Sequence, residues 1–147
     1  MLYTGVNMYR DSSNQSGDRS EITVYLDLIK KGWIVNTPSS RDSVYDMVVD
    51  VGGKFETIQV KTMSGNSITR VIDRSGERVS VNGKVRNSLD YAEHGINWLV
   101  GVSRDGDVYY YKLDTYKNIP SKSFSVKKWK QDGFPVNPVP KRHSIGK

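Results

Sequence analysis

The pattern of apolar and polar positions predicts one helix near the start of the chain, over residues 18–31. Large apolar residues recur there at the spacing of a single helical face, so we expect that face to pack against the core. These residues are Ile22, Tyr25, Leu26 and Ile29. Asp18 suits the N-cap, Glu21 completes a capping box three residues later, and Gly32 is a natural stop.

A β-hairpin is predicted around Gly52-Gly53, because two adjacent glycines favour a two-residue turn with positive φ. The first strand covers residues 44–51 and its partner residues 54–62. Side chains alternate between the two faces of a strand, so Gln59 and Lys61 point to the same face.

The remaining segments predict further strands and one short helix. Residues 68–72 and 79–81 suggest a second hairpin, and residues 88–94 suggest a short helix. Two further strands follow, a buried strand at 97–103 and an edge strand at 108–113. The order of these elements predicts a single α/β domain over the whole chain, with a mixed and mainly antiparallel sheet.

Composition excludes several classes of protein. The 147 residues include no cysteine and only two histidines, His94 and His143. A disulfide scaffold and a thiolate metal site are therefore excluded, and a multi-histidine zinc site is not expected. No apolar run is long enough to cross a membrane, and the first residues contain no signal-peptide core, so we expect a cytoplasmic protein without a membrane partner.

The positive charge is concentrated at one end of the chain. Residues 1–111 contain 13 basic and 14 acidic residues, whereas residues 112–147 contain nine basic and two acidic residues. Aromatic residues lie among these lysines, as in proteins that bind nucleic acids. We therefore expect the segment 112–147 to contact DNA, with Lys127, Lys128 and Lys130 as its central lysines.

One group of residues on the predicted hairpin is suited to phosphodiester hydrolysis. Pairing across the Gly52-Gly53 turn brings Asp46 near Gln59 and Lys61. A carboxylate, an amide oxygen and the backbone carbonyl of Val60 are hard ligands for a divalent cation. A neighbouring lysine can position the attacking water or stabilise charge on the phosphate.

These residues lie within a longer pattern that resembles the PD-(D/E)XK nucleases. The matching stretches are Arg19-Ser20-Glu21, Gly32-Trp33, residues 43–50, Gly52-Gly53-Lys54 and residues 58–62. The pattern is most similar to the small group I intron-associated homing endonucleases of cyanobacteria and their phages. Archaeal Holliday-junction resolvases share the same skeleton. The resemblance implies a restriction-endonuclease-like core, in which a mixed central sheet is accompanied by flanking helices and an N-terminal helix that carries an acid.

The resemblance also implies roles for individual residues. Asp46 matches the metal-binding aspartate, Lys61 the catalytic lysine, and Glu21 the acid on the first helix. Gln59 stands where most members have Asp or Glu, as in the intron-associated branch. The implied cofactor is Mg²⁺, with Mn²⁺ able to substitute and no small-molecule cofactor. The implied activity is hydrolysis of double-stranded DNA by a homodimer or homotetramer, in the cytoplasm of a bacterial or phage-infected cell.

Three functions stay open at this point. The first is a site-specific homing endonuclease, for which the segment 64–96 is a candidate reader of the major groove. The second is a Holliday-junction resolvase, and the third is a non-catalytic DNA-binding module, since Gln59 removes one charge from the site. Glu21 can also be read as the capping partner of Asp18 alone. The candidate DNA contacts outside the C-terminal segment are Arg41, Arg70, Arg74, Arg78, Lys84 and Arg86.

Overall fold

A computed structural model describes residues 13–40, 42–73, 79–81, 84–86, 88–115 and 122–138. Within these ranges the chain forms one α-helix, α1 (Ser13–Lys30), and two short 3₁₀ helices, η1 (Tyr91–His94) and η2 (Leu113–Thr115). The strands are β1 (Ile34–Asn36), β2 (Met47–Val51), β3 (Lys54–Thr62), β4 (Ser67–Thr69), β5 (Val71–Asp73), β6 (Val79–Val81), β7 (Lys84–Arg86), β8 (Ser88–Asp90), β9 (Trp98–Val102), β10 (Val108–Lys112) and β11 (Ser123–Ser125). No helix in the described ranges has the length and apolar character needed to span a bilayer.

The central sheet has five strands in the order β1-β2-β3-β9-β10. The β3–β9 pair is parallel and the other three pairs are antiparallel, which confirms the predicted mixed sheet. β2 and β3 form the predicted hairpin, and Gly52 and Gly53 occupy its turn with φ values of 65° and 88°. These positive φ values are why glycine suits both turn positions.

The sheet is covered on both faces. On the first face, Val24 and Leu28 of α1 pack against the inward side chains of β2, β3 and β9. On the second face, β4, η1 and β11 pack against β9 and β10. β9 is buried along its whole length, as expected for a strand in the middle of a sheet that is covered on both sides.

The predicted orientation of α1 is wrong. Val24 and Leu28 are fully buried, whereas the predicted core stripe faces solvent. The exposed fractions of that stripe are 65% for Ile22, 38% for Tyr25, 49% for Leu26 and 44% for Ile29. α1 therefore has two apolar faces, and the smaller one packs against the sheet. We refer to the residues Ile22, Tyr25, Leu26 and Ile29 as the α1 stripe.

The predicted start of the helix is also wrong. α1 begins at Ser13, five residues before the predicted cap, so Asp18 lies inside the helix and does not cap it. Its end agrees with the prediction, because Gly32 follows with a φ of 88° and its N–H donates to the carbonyl of Ile29 over 2.9 Å.

The segment between β3 and β9 pairs differently from the prediction. Residues 68–72 and 79–81 do not form a hairpin with each other. β4 pairs with β11, β5 with β8, and β6 with β7, all antiparallel. The predicted helix at 88–94 is the strand β8 followed by η1. Short strands of similar composition contain little information about their partners, which explains this error.

Candidate active site

Asp46 lies one residue before β2, where the hairpin strands are already paired. Its N–H donates to the carbonyl of Ile58 over 2.8 Å. Its carboxylate oxygen Oδ2 accepts the N–H of Val60 over 2.7 Å. The aspartate is thus held against the middle of β3 by two hydrogen bonds, which fix its carboxylate beside Gln59 and Lys61.

Burial raises the pKa of the Asp46 carboxyl above its ordinary value. Two interactions act in the opposite direction and lower this pKa, first the hydrogen bond from Val60 and then the positive charge of Lys61. Because the raising effect is the larger one, the ionised carboxylate is incompletely compensated in the fold. A bound cation would compensate it further.

Gln59 and Lys61 point to the sheet face opposite α1, as the alternation of β3 predicts. The side-chain amide of Gln59 donates to the carbonyl of Val60 over 3.2 Å, which places its polar group beside the Asp46 contact. The Lys61 ammonium lies 4.9 Å from the centre of the Tyr91 ring. The three predicted hairpin residues are therefore brought together.

Glu21 lines the same cleft as Asp46. The cleft has a volume of about 480 Å³ and lies between the first half of α1 and the loop that precedes β2. Asp18 also lines it, three residues before Glu21 on the same helix. The other lining residues are Gly17, Thr37, Pro38, Ser39, Ser40, Ser43 and Tyr45. Three acids therefore face one open cleft, while Gln59 and Lys61 lie outside its lining.

The donor set of this site fits a hard divalent cation. In the described part of the chain, no three side chains of the types His, Cys, Asp and Glu come close enough to hold a metal. The residues that could hold a metal through mixed oxygen ligands are Asp46 by its carboxylate, Gln59 by its amide oxygen and Val60 by its carbonyl, with Glu21 across the cleft. Carboxylate, amide and carbonyl oxygens are the usual ligands of Mg²⁺ and Ca²⁺.

The predicted DNA contacts are distributed unevenly. Lys127, Lys128 and Lys130 are exposed on the turn after β11, which we call the basic turn (residues 126–130). Arg70 is only 7% exposed, and this burial argues against its predicted contact with bases. Arg41, Arg74 and Arg78 lie outside the described residues, as do the side chains of Lys84 and Arg86.

Two residues near the site were not predicted as members of it. Asp18 lines the cleft, and its spacing from Glu21 places both acids on one helical face, a signal that the capping interpretation obscured. Tyr91 lies beside the Lys61 ammonium, 30 positions further along the chain. No local pattern indicates this contact, because it depends on how η1 packs against the sheet.

The α/β fold, with its mixed five-stranded sheet and N-terminal helix, is similar to that of restriction-endonuclease-like nucleases. The sequence profile of the PD-(D/E)XK endonuclease family matches residues 11–131. The chain therefore belongs to the PD-(D/E)XK endonuclease family. This match agrees with the resemblance found in the sequence.

Two solved structures align with more than three quarters of this chain. A bacterial homing endonuclease, I-Ssp6803I, is 19% identical, with a TM-score of 0.60 and coverage of 78% of each chain. The Holliday junction resolvase Hjc of Archaeoglobus fulgidus is 12% identical, with a TM-score of 0.48 and coverage of 76% of this chain and 84% of the resolvase. No curated protein sequence gives a match to this chain.

Proposed function

We propose that the protein is a Mg²⁺-dependent endonuclease that cleaves double-stranded DNA at a specific site, as homing endonucleases do. The observation that carries this proposal is the Asp46 carboxylate, held by the Val60 N–H beside Gln59 and within the electrostatic influence of Lys61. Membership of the PD-(D/E)XK endonuclease family supports it.

Each residue has a distinct task in this proposal. Asp46, Gln59 and the Val60 carbonyl hold the metal, and Glu21 completes its surroundings directly or through water. When bound, Mg²⁺ supplies Lewis-acid stabilisation of the phosphate and lowers the pKa of a coordinated water. Lys61 orients the attacking water or neutralises charge that develops on the scissile phosphate.

In this proposal, the lysines of the basic turn bind the DNA backbone. Lys127, Lys128 and Lys130 are exposed, and the turn is anchored by Phe124, which is buried against Tyr111. The cluster that contains Phe124 covers the sheet face to which Lys61 points. Exposed lysines on this side can neutralise phosphates without lying in the site itself.

We further propose that two copies associate through the α1 stripe. Four large apolar side chains, each more than one third exposed, form one continuous helical face. An antiparallel pairing of two such helices places Ile22 of one copy against Ile29 of the other. It also brings the basic end of one helix, at Lys30, to the half of the other that contains Glu21. Two copies would supply the two sites needed to cut both strands.

The test compares two substrates in parallel. The protein is incubated with Mg²⁺ on a plasmid library and on a synthetic four-way junction, beside Asp46→Asn and the matched control Asp50→Asn. Asp50 is on the same hairpin, but its carboxylate accepts the N–H of Gly53 over 2.8 Å. We expect the parent and the control Asp50→Asn to cleave duplex DNA at few sites, and Asp46→Asn to cleave none. Preferential junction cleavage would identify a resolvase, and salt-sensitive binding without cleavage in any divalent metal would identify a binding module.

A further inference from the structure

The Tyr91 ring lies beside the ammonium group of Lys61, the predicted catalytic lysine. Tyr91 is 5% exposed, and the centre of its ring lies 4.9 Å from the Lys61 ammonium nitrogen. A lysine ammonium within about 6 Å of an aromatic ring is attracted by the negative face of that ring. The ring therefore offers Lys61 a fixed, attractive surface on one side.

Tyr91 is held in place by its backbone and by the packing of its ring. The backbone N–H of Tyr91 donates to the carbonyl of Arg70 over 3.3 Å, and the carbonyl of Tyr91 accepts the N–H of Ile96 over the same distance. The ring belongs to the buried cluster on the second face of the sheet. A side chain held in a packed core has few alternative rotamers, so it can restrict the position of a flexible lysine.

Tyr91 also marks a junction between segments. It follows β8 directly, near the end of the segment 64–96 that is the predicted DNA reader. Arg70, to which it is bonded, lies just before β5 and donates its own N–H to the carbonyl of Lys122 over 2.7 Å. Arg70 and Tyr91, at the two ends of the β5–β8 segment, and Lys122 of the C-terminal segment therefore meet next to the ring that contacts Lys61.

We propose that Tyr91 is a positioning residue for Lys61: its buried ring holds the lysine ammonium in the orientation needed for cleavage. This inference rests on the proposed role of Lys61 in catalysis. It assigns no chemistry to Tyr91, which acts only through the lysine. Because the contact requires the ring and not the hydroxyl, Tyr91→Phe should retain it and Tyr91→Leu should lose it.

The first test measures cleavage in a single turnover, and DNA binding with Ca²⁺ in place of Mg²⁺. We expect Tyr91→Leu to slow cleavage by about 10- to 100-fold, since misplacing a catalytic group by a small distance has effects of this size. The DNA affinity of Tyr91→Leu should stay within about 2-fold of the parent, because the substitution leaves the exposed lysines that contact phosphates unchanged. Tyr91→Phe should cleave at nearly the parental rate.

Leu113→Ala is the matched control. Leu113 is 3% exposed and belongs to the same buried cluster, so its truncation also removes core packing, but Lys61 lies over Tyr91. Rates are compared at a temperature at which every variant is folded. Equal losses in Leu113→Ala and Tyr91→Leu would overturn the proposal, because the effect would then be one of general packing. Parental cleavage by Tyr91→Leu would also overturn it.

A second measurement does not depend on activity. The Tyr91 ring should shift the NMR signals of the Lys61 Cε methylene upfield. These signals are assigned by their absence from the spectrum of Lys61→Arg. We expect the shift to persist in Tyr91→Phe and to disappear in Tyr91→Leu. A parent protein that cuts no DNA but retains this shift would contradict the proposed function alone. Absence of the shift in an active parent would contradict the positioning of Lys61 by Tyr91.

Discussion

The Asp46 carboxylate and the ammonium groups of the basic turn are in opposite surroundings. Asp46 is partly withdrawn from water, and burial raises its pKa, whereas Lys127, Lys128 and Lys130 are exposed. A charge in a site of low polarity interacts strongly with a few neighbours, while exposed charges act weakly and are screened by salt. We therefore expect the first region to control the chemical step and the second to control affinity.

Substitution of Asp46 should have the largest effect of any described residue. Asp46→Asn should reduce cleavage by at least about 10²- to 10³-fold, a loss typical of removing one essential electrostatic contact at a reacting centre. The Asn side-chain oxygen can still accept the Val60 N–H, so the fold is retained. Single-turnover kinetics with the control Asp50→Asn test this, and comparable losses in both variants would contradict it.

The same substitution should stabilise the protein at neutral pH. A carboxyl whose pKa is raised by folding binds its proton more tightly in the native state, so its contribution to stability declines as pH rises from the unfolded value of 3.8 through the folded value. Asp46→Asn removes this cost, and its melting temperature should exceed that of the parent at pH 7. The difference should vanish below the unfolded pKa.

Metal binding gives a further thermal signature. Mg²⁺ should raise the melting temperature of the parent, because a ligand that binds only the native state stabilises it. The rise should diminish as pH falls through the raised pKa of Asp46, and it should be lost in Asp46→Asn. An equal Mg²⁺-induced rise in parent and variant would place the cation elsewhere.

The contacts in and around the site differ in how far the sequence predicts them. Asp46 and Val60 are 14 positions apart, and the Gly52-Gly53 turn sets the register between them, so local pattern was sufficient. The orientation of α1 was not predictable, because the α1 stripe and the pair Val24 and Leu28 both have helical spacing. The contact of Lys61 with Tyr91 depends on the packing of η1 against the sheet, which no local spacing encodes.

Neutralising the basic turn should weaken binding more than cleavage. In a triple variant with Lys127, Lys128 and Lys130 changed to Gln, the slope of log affinity against log salt should fall by about 2 to 3, if each lysine neutralises one phosphate. The single-turnover rate at saturating protein should stay near the parental value. The matched triple variant to Arg keeps the charges and should keep the slope. A large decrease in the single-turnover rate would contradict this expectation, because the basic turn would then also control the chemical step.

A charge on the α1 stripe tests the association of two copies. Leu26→Asp places a carboxylate at the centre of the exposed apolar face, and burying it against a second copy would be costly. We expect light scattering to show a smaller particle than the parent, and double-strand cleavage to give way to nicking. Thr23→Asp lies outside the stripe on the same helix and should assemble normally. An unchanged particle mass in Leu26→Asp would exclude the stripe as the interface.

The smallest effect on cleavage and DNA binding is expected at the contact that fixes α1 to the sheet, away from both the Asp46 site and the basic turn. The Tyr110 hydroxyl donates to the Asp27 carboxylate over 2.6 Å, and burial followed by this bond raises the pKa of Tyr110. Asp27 keeps its ion pair with Lys31 in Tyr110→Phe, so the loss in the free energy of unfolding should be about 2 kcal/mol, as for a hydrogen bond to a charged group. Denaturant unfolding measures this loss. The cleavage rate and the salt dependence of DNA affinity should both be parental. This contact supports the helix, but it contributes no group to the active site or to the basic turn.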